Sequence, residues 1–223
     1  MTLTRAQIAW RAAQDLRDGQ YVNLGIGLPL LAAACLPPER EIIFHSENGI
    51  LGLGPPPAPG EYDPDIINAG KAPATVVSGG AFFNHEDAFL MIRGGHVDVA
   101  LMGAFEVSQH GDLANWTTDD PAFPPGVGGA MDLASGAAHV RVLMEHNTRR
   151  GASRLRSNCS YPLTAARCVE RVYTDLAVID VTQTGLLVRE IAEGVTRQTL
   201  AERTDAPLQF ADEVILLAPP QLT

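Results

Sequence analysis

A carboxylate at a turn, a lone lysine and a run of glycines are the features of this sequence whose chemistry could be joined in one reaction. Residues 45–54 read His-Ser-Glu-Asn-Gly-Ile-Leu-Gly-Leu-Gly. Glu47 follows the run 41–44, Glu-Ile-Ile-Phe, which reads as a buried strand, so its carboxylate leaves the sheet just where the chain turns. A carboxylate presented in that way can attack an activated carbonyl. Ser-Glu-Asn-Gly is also an ordinary turn composition, and taken alone this stretch leaves both readings open. Lys71 ends Asn68-Ala69-Gly70-Lys71, after a long acidic and proline-rich loop. By itself it reads as a solvated charge. Residues 126–132, Gly-Val-Gly-Gly-Ala-Met-Asp, form a glycine-dense turn. Without side chains in the way, its main-chain N–H groups could approach a reacting carbonyl, which is what an oxyanion hole requires.

Other chemistries find less support. The Gly25-Ile26-Gly27 turn suggests dinucleotide binding, but Leu30 stands where the third glycine would fall and Pro29 occupies the helix opening. That helix start could still receive an anion. The six histidines, at 45, 85, 96, 110, 139 and 146, show neither H-x-H nor H-E-x-x-H spacing, so no metal site is expected. Cys35, Cys159 and Cys168 form no C-x-x-C pair, and Cys35 lies in an alanine-rich apolar stretch, as packing residues do. No G-x-S-x-G elbow is present.

Thr4-Arg5-Ala6-Gln7 has capping-box form and opens an amphipathic helix that ends near Asp18-Gly19. Residues 21–24 read as a strand leading through the glycine turn into a helix over 30–36, closed by Pro37-Pro38, which makes a βα unit. Further strands are expected at 74–77, 97–102, 140–145, 176–181 and 186–190, with helices at 86–93 and 196–203. Strands separated by helices and glycine loops indicate an α/β sandwich. The proline-rich stretches 55–60 and 119–125 are short enough to be surface loops, no internal repeat is visible, and 223 residues suit a single domain over 1–223.

A net charge of −10 argues against nucleic acid or an anionic membrane as partner and requires that any anionic ligand be held by local groups. No targeting segment or bilayer-length apolar run is evident, and the cysteines suit a reducing compartment, so a cytoplasmic location is expected.

Several linked stretches resemble one family. YVNLGIGLP, SENGILGLGP, DPDIINAGKA, AFLMIRGGHVDVALMGAFEV, GDLANW, GGAMDLASGA, MEH, PLTAARCV and TDLAVIDV occur in the order found in the B subunits of the 3-oxoacid CoA-transferases, between about residues 4 and 203. The resemblance implies a three-layer α/β/α sandwich with a mostly parallel mixed sheet, and a partner A-type subunit in an A2B2 heterotetramer. It implies ping-pong transfer of CoA from succinyl-CoA to a 3-oxoacid, acetoacetate or 3-oxoadipate, with coenzyme A as substrate and no further cofactor. It makes Glu47 the nucleophile, Gly128 a backbone oxyanion donor, Asn23 a supporting residue at a strand end, and Lys71 a contact for CoA. A short-chain fatty-acid (acetate or butyrate) CoA-transferase would keep the same nucleophile, and a non-enzymatic binding module could share the fold. One departure stands out. After GDLANW, where the family has a basic Ile-Pro-Gly-Lys-like loop, residues 117–125 are acidic and proline-rich.

Overall fold

The computed structural model describes residues 2–37, 39–118, 120, 122 and 124–221. Helix α1 (Arg5–Gln14) begins at a full capping box: the Thr4 side chain accepts from the Gln7 amide, and the Gln7 side chain accepts from the Thr4 amide. Its Ile8, Ala9, Ala12 and Ala13 are buried. Strand β1 (Tyr21–Leu24) follows as expected, but the next segment is a 3-10 helix, Leu28–Cys35, rather than an α-helix over 30–36. Pro29 at its start lacks an amide donor, and the buried Pro29 and Ala32 lie three residues apart, the repeat of the tighter helix. Pro38 lies outside the described residues.

The remaining strands of the main sheet are β2 (Ile43–Ser46), β3 (Ile50–Leu53), β4 (Val76–Phe82), β5 (Val99–Met102), β8 (His139–Leu143), β10 (Val169–Tyr173), β11 (Ala177–Thr182), β12 (Gly185–Ala192) and β13 (Leu208–Leu217). The order is β13-β12-β11-β10-β8-β5-β1-β2-β3-β4. Five neighbouring pairs are parallel, including the continuous block β10-β8-β5-β1-β2, and the pairs β2-β3, β3-β4, β10-β11 and β11-β12 are antiparallel. A small sheet of β6 (Glu106–Ser108), β7 (Leu113–Ala114) and β9 (Leu155–Arg156) stands beside it. Helices α2 (His85–Arg93), α3 (Ala130–Gly136) and α4 (Arg197–Glu202) complete the elements.

Two apolar layers cover the sheet, one on each face. Val99 and Leu101 of β5 pack into the cluster that holds α1, while Ala100 and Met102 join the cluster that holds Ile92 of α2 and Leu133 of α3. A strand buried on both faces reads as a continuous apolar run, and Val-Ala-Leu-Met is one. The fold is thus a mostly parallel mixed sheet with helices on both faces. Polar contacts tie α1 to the sheet as well. Asp15, just beyond α1, accepts from Tyr173 Oη at 2.6 Å and Arg171 at 2.7 Å, and Arg11 Nε reaches Glu190 of β12 at 2.8 Å. Burial acts to raise the Asp15 carboxyl, but these hydrogen bonds, with that of Arg11, outweigh it and hold it below its usual range.

Candidate active site

The carboxyl ends of the adjacent parallel strands β2, β1, β5 and β8 open into one cleft of about 1330 Å³. The crevice outside these ends is where α/β sheets place their ligands. The residues leaving each strand line it: Glu47 after β2, Gly25 after β1, Gly103 to Phe105 after β5, and Glu145 after β8.

Glu47 owes its position to a tight hairpin. The Gly49 amide donates to the Ser46 carbonyl at 3.0 Å, and Ser46 pairs with Ile50 across β2 and β3. Gly49 has φ +107, and a Cβ there would sit 2.2 Å from the Phe83 carbonyl oxygen, so only glycine fits this turn. Asn48 turns outward and donates to the Ile67 carbonyl at 2.7 Å, while Ser46 Oγ donates to Asn48 Oδ1 at 2.6 Å and accepts from the Ala69 amide at 3.2 Å. The Ser46 and Asn48 side chains are thus engaged in the turn, and that of Glu47 is left half-buried and lining the cleft.

Asn23 fixes that side chain. It lies on β1 between Val22 and Leu24, whose side chains face the α1 layer, so the strand's alternation sends Asn23 to the opposite face. It is 1% exposed. Its Nδ2 donates to Glu47 Oε2 at 3.0 Å and also meets His45 Nδ1 at 3.1 Å and the His45 carbonyl at 3.3 Å. Burial pushes the His45 imidazole below its ordinary pKa against the pull of Glu47, which suits a neutral ring accepting at Nδ1. On the other side His85, the first residue of α2, donates through Nδ1 to the Glu47 carbonyl at 3.0 Å. The backbone of Glu47 is held as well as its carboxylate.

The glycine turn closes on the same carboxylate. A Cβ placed on Gly129 would lie 3.9 Å from Glu47 Cγ, and Gly126 to Gly129 all line the cleft. Gly128 has φ +50 and open space beside its Cα, the conditions for a main-chain amide to be approached by a ligand. The Gly126 amide donates to the Trp116 carbonyl at 2.9 Å, so loop 117–125 is drawn in at its base. Within that loop, residues 119, 121 and 123 lie outside the described residues.

Glu47, Asn23 and Gly128 are thus brought together, and Lys71 is not among them. It is exposed, has φ +63, and lies beyond the cleft-lining residues, although its neighbour Ala69 reaches the cleft. Sequence reasoning missed four residues of the site. His45 and His85 carry no motif signal. Asn115 sits inside GDLANW and donates through Nδ2 to the Gly103 carbonyl at 3.1 Å, while Thr164 Oγ1 of PLTAARCV donates to its Oδ1 at 2.6 Å. Arg154 lines the cleft as well. Among the described residues no cluster of His, Cys, Asp and Glu could hold a metal ion, and no helix is long and apolar enough to cross a membrane.

Comparison with known proteins identifies the family. The coenzyme A transferase family profile matches residues 5–203. The B subunit of the 3-oxoadipate CoA-transferase of Pseudomonas putida is 54% identical over 206 residues, covering 92% of this chain and 96% of the relative. The B subunit of the succinyl-CoA:3-ketoacid coenzyme A transferase of Helicobacter pylori is 48% identical over 205 residues, covering 92% and 98%. Among solved structures, the acyl-CoA transferase apoenzyme of Escherichia coli O157:H7 superposes with a TM-score of 0.74 at 20% identity, covering 97% of this chain and 44% of that longer one, which shows the fold. With a family profile spanning most of its length and relatives near half identity, this chain belongs to the coenzyme A transferase family.

Proposed function

We propose that this chain is the Glu47-bearing B subunit of a CoA-transferase that moves CoA from succinyl-CoA to a 3-oxoacid, 3-oxoadipate or acetoacetate, in a cytoplasmic A2B2 complex with a partner A-type chain. The observation that carries the proposal is the Glu47 carboxylate held by Asn23 at 3.0 Å, in a cleft closed opposite by the Gly126–Gly129 turn. The half-identical relatives, whose names give 3-oxoadipate and succinyl-CoA with a 3-ketoacid, supply the acid class.

The reaction follows from what a carboxylate can do to a thioester. Glu47 attacks the acyl-CoA carbonyl, the C–S bond breaks, and CoA leaves as a thiolate, giving a mixed anhydride. The thiolate then attacks the glutamyl carbonyl and releases the free acid, which leaves a glutamyl-CoA thioester. The acceptor carboxylate reverses both steps and restores Glu47. No proton is gained or lost overall, so no general base is required. At each addition, negative charge develops on a carbonyl oxygen, and the Gly128 amide is the donor assigned to receive it. Asn23 orients the carboxylate, and Lys71 supplies a cation to the CoA chain from the rim. Coenzyme A enters as substrate and no further cofactor takes part.

Reconstitution tests this reading. The chain co-purified with its A-type partner should transfer CoA from succinyl-CoA to 3-oxoadipate or acetoacetate with parallel initial-velocity lines, while the chain alone should show little turnover. Intersecting lines, or full activity without the partner, would overturn it.

A further inference from the structure

Arg154 lines the candidate site and, among the described residues, is a cation with no ion-pair partner. It follows β8 and the turn at 147–153, where its amide donates to the His146 carbonyl at 2.9 Å, and its side chain lines the cleft with Nη1 donating to the Ala104 carbonyl at 3.0 Å. That single hydrogen bond fixes the guanidinium over the end of β5. Its Nε is buried without a partner, and no ion pair joins Arg154 to a carboxylate among the described residues. The other arginines of the chain's interior behave differently, since Arg11, Arg141 and Arg171 each hold an acid. A half-buried guanidinium with free donors is costly unless something anionic completes it.

We infer that Arg154 binds the distal carboxylate of a dicarboxylic acyl group or acid whose other carboxyl reacts at Glu47. This rests on the function proposed above and names the residue that selects among its substrates. The spacing fits. β5 and β2 are separated by β1 alone, and Asn23 pairs with both His45 and Ala100, so Glu47 is level with Met102; two strand spacings and a two-residue offset put the Ala104 and Glu47 backbones roughly 12 Å apart before their side chains and that of Arg154 reach into the cleft. A succinyl group spans three carbon–carbon bonds; with about 3 Å for attack at one end and about 3 Å for a charge-assisted hydrogen bond at the other, it covers about 10 Å. A six-carbon acid is slightly longer. Arg5 and Arg149 also line the cleft, but both are exposed, where solvent and salt weaken them. Glu145 is the opposing charge of the same wall, exposed and not paired with Arg154. In a chain of net charge −10, a fixed interior cation is the means by which a second negative charge can be accepted.

The test is a specificity ratio in the reconstituted complex. Succinyl-CoA and butyryl-CoA have the same carbon count and differ in the distal carboxylate, so kcat/KM is measured for both with one common acceptor. Arg154→Met is expected to lower the succinyl-CoA value about 100-fold, chiefly through KM, while changing the butyryl-CoA value less than about threefold. Should Arg154→Met fail to assemble, Arg154→Lys keeps the charge without the fork and should lower the ratio about tenfold. Equal losses for the two donors, or no change in either, would overturn the assignment. Failure of the underlying reading looks different, because the wild-type complex would then form no adduct at Glu47 from either donor.

Discussion

Asn23 Nδ2 lies 3.0 Å from Glu47 Oε2, and it reaches that carboxylate from a neighbouring parallel strand whose register also pairs Asn23 with His45. One buried amide thus ties the reactive carboxylate to the sheet. Asn23→Ala should leave the fold assembled and lower kcat about 10- to 100-fold, since a freed carboxylate loses its attack geometry. Asn23→Asp should be worse, because it sets a second carboxylate, at a position 1% exposed, against the first. Steady-state kinetics of both variants in the reconstituted complex check the order; an Asn23→Ala complex with wild-type kcat would remove Asn23 from the mechanism.

Gly49 is the structural residue of the hairpin. Gly49→Ala forces φ +107 on an L-residue and drives its Cβ into the Phe83 carbonyl, so a loss of more than about 2 kcal/mol is expected in urea unfolding, together with loss of activity as Glu47 shifts. Wild-type stability and turnover in this variant would contradict the hairpin geometry.

Much of this was legible in sequence, and the parts that were not have physical reasons. The capping box at Thr4, the strand before Glu47 and the apolar run of β5 are local patterns, and each reappears in the structure. β3 was missed because Gly52 interrupts its short apolar run, and β13 because Asp212 and Glu213 interrupt a half-exposed edge strand. The short strands β6, β7 and β9 gain their partners only through long-range pairing. In the site, Glu47, Asn23 and Gly128 were marked by motifs, whereas His85 and Arg154 reach it from distant segments that only the folded sheet brings together.

His146, inside the MEH motif, is buried between Thr174 Oγ1 at 3.1 Å and Thr204 Oγ1 at 2.9 Å. Burial, with the nearby Arg203 charge, pushes its imidazole down to about 4. The unfolded chain binds a proton near pH 6.5 that the folded chain refuses until about pH 4, so stability is full above 6.5 and falls by about 3 kcal/mol across that window. His146→Gln should be less stable at pH 7 yet lose less between pH 7 and about 4.5. Urea titrations at the two pH values measure the difference, and parallel losses in the two proteins would refute it.

Lys71 is exposed, with φ +63, two residues beyond the cleft-lining Ala69 and not itself in the lining. Lys71→Ala should raise KM for acyl-CoA about 3- to 10-fold and leave kcat nearly unchanged, as loss of one exposed cation on a long ligand does. Unchanged KM would return Lys71 to an ordinary surface charge.

The most direct measurement is intact mass of the reconstituted complex after incubation with succinyl-CoA and no acceptor, followed by mapping of the modified peptide. Wild type should carry a CoA adduct on Glu47, abolished by borohydride reduction to the alcohol, and Glu47→Gln, folded and assembled, should carry none and turn over nothing. An adduct on Cys35, Cys159 or Cys168, or a Glu47→Gln complex that still transfers CoA, would contradict the account at its centre.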